Sequence, residues 1–111
     1  MVITFDKAKL KKIFNESKRL DREFGNRNAK KIQIRMSVLR AALSLEQVPK
    51  VKPDRCHELT NNRKGTFAVD LEHPFRLVFR PNMDTVPLKD DGGIDLAQVT
   101  TVKILGVEDY H

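Results

Sequence analysis

Hydrophobic and polar positions divide the chain into a helical first half and an extended second half. Val2 to Phe5 is a short apolar run with β-branched residues and predicts an edge strand. Asp6 follows as a candidate N-cap for a helix beginning near Lys7. Leu10, Ile13 and Phe14 fall at i, i+3 and i+4, one apolar helical face. Gly25-Asn26 interrupts the pattern, and Asn26 or Asn28 is placed to cap a second helix running to about Leu45. In that helix Ala29, Ile32, Met36, Leu39 and Leu43 form the apolar stripe, while Lys30, Lys31, Arg35 and Arg40 occupy other faces. Pro49 and Pro53 end it.

Beyond Pro53 the period changes to two. Phe67, Val69 and Leu71 alternate with Ala68 and Asp70, and Phe75, Leu77 and Phe79 alternate with Arg76, Val78 and Arg80. The short Glu72-His73-Pro74 turn between them predicts an antiparallel hairpin. Pro81 to about Gln98 is a long polar, acidic connection, and Val99 to Val107 reads as a last strand. Helices followed by strands predict an α+β fold. It is expected to be one domain over 1–111, an antiparallel sheet of about four to five strands with two N-terminal helices on one face. The other face is then free to carry a site.

Charge sharpens this picture. The net charge is +6, and residues 1–55 hold 15 Lys/Arg against 6 Asp/Glu. Such a basic half suits a polyanion, nucleic acid foremost, although solvated helix surfaces are often lysine-rich. No apolar run reaches the length of a membrane span, and the first residues lack a signal-peptide layout, so a cytoplasmic protein with no membrane partner is expected. The single Cys56 has no internal disulfide partner, in keeping with a reducing compartment.

Candidate chemistry lies in three places. Cys56-His57-Glu58 leads into Arg63-Lys64-Gly65, where Gly65 permits a turn closed to other residues. Arg76 alternates with apolar neighbours, so it points to the opposite, more open face, where a guanidinium can hold phosphate. Asp109-Tyr110-His111 follows the last strand with the only tyrosine and one of three histidines. An aromatic cap on the sheet is one reading of it; a proton carrier beside a base-stacking ring is the other. Cys56, His57 and His111 lack metal-ligand spacing, and no phosphate-loop or dinucleotide pattern occurs, so neither metal nor cofactor is expected.

Taken together, His57-Glu58-Leu59, then Arg63-Lys64-Gly65, Phe67-x-Val69, Pro74-Phe75-Arg76-Leu77-Val78-Phe79 and the Glu108-Asp109-Tyr110-His111 ending resemble HigB toxins of the RelE/ParE superfamily. The resemblance spans essentially the whole chain. It implies a RelE-like fold and a ribosome-dependent endoribonuclease that cuts mRNA without a cofactor. It also implies a helix-turn-helix, HigA-like antitoxin, with operator DNA contacted only through that partner. By the same resemblance His57, Asp109, Tyr110 and His111 are the catalytic set, and Arg63, Lys64 and Arg76 hold RNA phosphate. Relatives often carry Leu-Lys-Gly-Asp-Arg where this chain has Leu59-Thr60-Asn61-Asn62-Arg63, so a lysine is missing at Thr60. Two other classes are open from sequence: a non-enzymatic nucleic-acid-binding domain built on the basic helices, and a ParE-type toxin acting by contact.

Overall fold

The computed structural model describes residues 1–109; Tyr110 and His111 lie outside the described residues. Strand β1 (Val2–Phe5) is followed by helices α1 (Ala8–Asn15), α2 (Ser17–Phe24) and α3 (Asn26–Ala41). Strands β2 (His57–Glu58), β3 (Phe67–Asp70), β4 (Phe75–Pro81) and β5 (Thr101–Asp109) complete a five-stranded sheet of order β1-β5-β4-β3-β2. The α+β architecture with N-terminal helices on one sheet face is as the pattern predicts. No helix among the described residues is long and apolar enough to cross a membrane.

Local differences have physical causes. The first helical pattern is split, because Glu16 is extended (φ −121°, ψ 110°) and turns the chain between α1 and α2. The break lets Phe14 meet Phe5 and Phe24 edge to face at centroid distances of 5.5 and 6.0 Å, a favoured aromatic geometry. Lys7, not Asp6, is the N-cap of α1, and it makes no side-chain capping bond. Gly25 precedes α3 at φ 81°, a conformation suited to glycine. Asn28 lies inside α3, where its side-chain oxygen accepts the Glu72 amide at 2.9 Å. The helix ends at Ala41, so Leu43 falls beyond it and is 74% exposed rather than part of the apolar stripe.

Arg35 also departs from the expected polar face. It is 5% exposed, and its Nε donates to the Asp70 carbonyl at 2.7 Å. Its Nη2 donates to the Pro53 carbonyl at 3.3 Å, and the buried Asp54 carboxylate lies 3.7 Å from Nε. The guanidinium thus ties α3 to β3 and to the segment that leads into β2.

The sheet is antiparallel from β2 to β4 and on to β5, while β1 joins the far edge parallel to β5, Val2 opposite Thr101 and Phe5 opposite Ile104. The helix-side core is built from Ile32, Met36 and Leu39 against Phe67, Val69, Leu77, Phe79, Val102 and Ile104. Phe67 and Phe79 are register partners and stack at 6.1 Å. The long connection after Pro81 is partly ordered by packing: Ile94 and Leu96 lie against this core.

Candidate functional site

The outer sheet face carries the side chains that alternate with the core. A register shift after Val78 is decisive here: Val78 pairs with Gly106, but Phe79 pairs with Ile104, so β5 carries a bulge at Leu105. One extra residue reverses the faces of everything beyond it. Strict alternation from Val102 and Ile104 would send Glu108 into the helix-side core. The bulge instead aligns Glu108 with Arg76 and leaves Asp109 opposite Phe75.

A row of alternating charge results. Asp70 of β3 is the register partner of Arg76 on β4, which in turn partners Glu108 on β5. Arg55 closes one end: its Nε and Nη2 donate to the two Asp70 carboxylate oxygens at 2.7 and 2.9 Å. Arg63 closes the other, donating to both Glu108 oxygens at 2.9 Å. These hydrogen bonds from Arg63, with the nearby Arg63 and Arg76 charges, hold the Glu108 carboxyl below its ordinary range. Beside this row runs a second one of mostly small residues, His57, Ala68, Val78 and Gly106. The turn after β2 reaches over part of it, packing Leu59 on Ala68, Val78 and Leu105.

His57 is half-buried on edge strand β2. Its Nδ1 lies 2.8 Å from the Arg55 carbonyl. A carbonyl only accepts, so Nδ1 carries the hydrogen and Nε2 is left as the basic nitrogen. Arg55 itself is left-handed (φ 46°), a conformation that costs a non-glycine residue about 1 kcal/mol or more. The Asp70 ion pair and the bond from the Arg55 amide to the Val51 carbonyl at 2.9 Å hold it there. The chain beside His57 is thus fixed by contacts from outside its own segment.

A cavity of about 390 Å³ opens beside His57, lined by Leu45, Cys56, Phe67, Ile94 and Leu96 with Lys50 and Lys89 at its polar parts. Cys56 is buried in the core cluster, and that burial pushes its thiol up to about 11, which disfavours the thiolate form. Gly65, at φ 91°, donates its amide to Glu58 Oε2 at 2.9 Å and so fixes the turn that presents Arg63 and Lys64.

Of the residues singled out in the sequence, the fold therefore brings His57, Arg63 and Arg76 to the outer face. Lys64 is exposed nearby on the wall of a separate polar cavity. Asp109 is exposed at the end of β5 with the parity of the opposite face. Tyr110 and His111 lie outside the described residues. Sequence reasoning missed Arg55, Asp70 and Glu108. Asp70 was within reach of it, since period-two alternation across the short turn sets it beside Arg76.

No protein-family model and no curated protein matches the chain. A solved structure, the YoeB–YefM complex from Staphylococcus aureus, matches over 100% of this chain and 97% of that one. The TM-score is 0.51 at 18% sequence identity. The likeness is one of fold: the α+β arrangement of this chain is shared with the matched chain of that complex.

Proposed function

We propose that this chain is the RNA-cleaving toxin of a toxin–antitoxin pair, a HigB-like member of the RelE superfamily that cuts mRNA on the ribosome in the cytoplasm. Its fold is that of YoeB, a toxin solved in complex with YefM, and this likeness supports an antitoxin partner. By the HigB resemblance that partner is HigA-like and helix-turn-helix, and operator DNA is reached only through it.

The observation that carries the reading is the Arg63–Glu108 ion pair. It fastens the end of β5 to the turn that follows His57, although 45 positions separate the two residues. Cations and a histidine with a free basic nitrogen thereby share one surface with the segment that leads into Asp109, Tyr110 and His111.

RNA scission of this kind needs a base for the 2′-OH, an acid for the departing 5′-oxygen and cations for the phosphate charge. His57 Nε2 takes the 2′ proton in this scheme, and the terminal Asp109-Tyr110-His111 set supplies the acid and a stacking ring. Arg63 and Arg76 hold the phosphate at the cut bond, and Lys64, next to Arg63, holds RNA phosphate beside it. Attack by the 2′-OH restricts the substrate to RNA. Induction in cells followed by mapping of mRNA 5′ ends tests the proposal. New ends within coding regions are expected, and His57→Ala should lower their yield by about 10²–10⁴. Undiminished growth arrest by a His57→Ala/His111→Ala variant would overturn the reading.

A further inference from the structure

The arginines at the ends of the Asp70–Glu108 row each have a carboxylate partner, Arg55 with Asp70 and Arg63 with Glu108. Farther along the same face the pattern changes. Arg80 and Lys103 stand directly opposite each other on β4 and β5. Like charges in that position repel. Among the described residues neither makes an ion pair with a carboxylate, and neither does Lys64. All three line one polar cavity of about 530 Å³, where Asp84 is the single acid among the lining residues. A cavity walled by three cations and one anion stabilises an anion, and the repulsion across β4 and β5 is relieved when one binds.

We propose that Lys64, Arg80 and Lys103 form a second phosphate subsite, one that grips the RNA backbone away from the bond being cut. The proposal rests on the ribonuclease reading for the identity of the strand. Arg80 lies four residues beyond Arg76 on β4, about 13 Å along an extended strand, so the two cannot hold the same phosphate. Lys64 follows Arg63 directly, which places the cavity next to the outer-face cluster. The lining is predominantly polar, suited to a sugar–phosphate chain rather than to the apolar anchors of a protein segment.

The test uses the full chain and a fluorescent 2′-O-methyl hexanucleotide, which cannot be cleaved because its 2′ oxygen has no proton to lose. Anisotropy titrations over a salt series give affinity and its salt dependence. Arg80→Gln/Lys103→Gln should weaken binding about tenfold or more at low salt. It should also flatten the slope of log K against log salt by about 0.7 for each phosphate released. Removing the opposed charges should leave the melting temperature unchanged or raised, which separates lost binding from lost folding. Unchanged affinity and slope would overturn the subsite. So would complete displacement of the hexanucleotide by millimolar 5′-AMP, which marks a mononucleotide pocket. Unaltered RNA binding with loss of a poly-glutamate peptide would do the same, since it marks a protein-docking surface. The two proposals fail separately. Uncut mRNA with a sensitive hexanucleotide titration removes the nuclease and keeps the pocket, whereas cut mRNA with an insensitive titration does the reverse.

Discussion

Replacing Arg35 with Met probes the contact that joins α3 to the segment before β2. Met keeps much of the arginine stem and removes the charge and every donor. Two carbonyls, those of Asp70 and Pro53, lose a partner. Asp54, 7% exposed, loses the one cation in ion-pair range of it among the described residues, and its Oδ1 already makes no hydrogen bond there. Stripping one member from a buried pair leaves an uncompensated charge and costs about 3–5 kcal/mol. A domain's total stability is only about 5–15 kcal/mol, so the variant should be marginal. With a urea dependence of about 1.5 kcal/mol per molar, the unfolding midpoint should fall by about 2–3 M. Urea titration followed by far-UV circular dichroism measures this directly. Adding Asp54→Asn removes the stranded charge and should restore part of the loss. A midpoint within about 0.5 M of the parent, or a double variant no better than the single one, would refute the argument.

Two further predictions follow from the charged and buried groups. Arg63 keeps the Glu108 carboxyl below its ordinary range, so the pair stabilises the fold above the ordinary carboxylate pKa and the gain is lost as pH falls through the lower folded value. Both side chains are partly exposed, so Glu108→Gln should cost about 0.5–1 kcal/mol at pH 7, and thermal melts of parent and variant should draw together as pH falls below the ordinary carboxylate range. Cys56, held up to about 11 by burial, should react with Ellman's reagent at pH 8 about a hundredfold more slowly than an unfolded control; equal rates would contradict its burial.

What could be read in advance was local. The β3–β4 hairpin, the stripe of Ile32, Met36 and Leu39, and the outward direction of Arg76 all follow from a repeat that neighbouring residues share. What could not be read depended on distant partners. Arg35 looks like a surface residue until the carbonyls of Pro53 and Asp70 are placed around it. Strand β2 is two residues long and exists because β3 is beside it. Glu108 faces Arg63 through a bulge that no alternation of apolar residues announces, and the same bulge gives Asp109 the other parity. The histidine and the arginines of the outer face were recognisable by type, whereas the carboxylates that hold Arg55 and Arg63 in place were not.

The strand order has a consequence for biogenesis. β5 follows every other strand in synthesis, yet it sits between β4 and β1. Until it emerges, β1 has no neighbour to pair with and Arg63 has no Glu108 to grasp. The β3–β4 hairpin and the helices need only nearby residues and are free to form on the nascent chain, but the sheet closes through contacts of very large sequence separation, the slow kind. Joining of the Arg63 turn to the sheet is therefore deferred until β5 has been made, so a nascent chain that stops short of that strand keeps its first strand as an unpaired edge and its Arg63 without the carboxylate that anchors it.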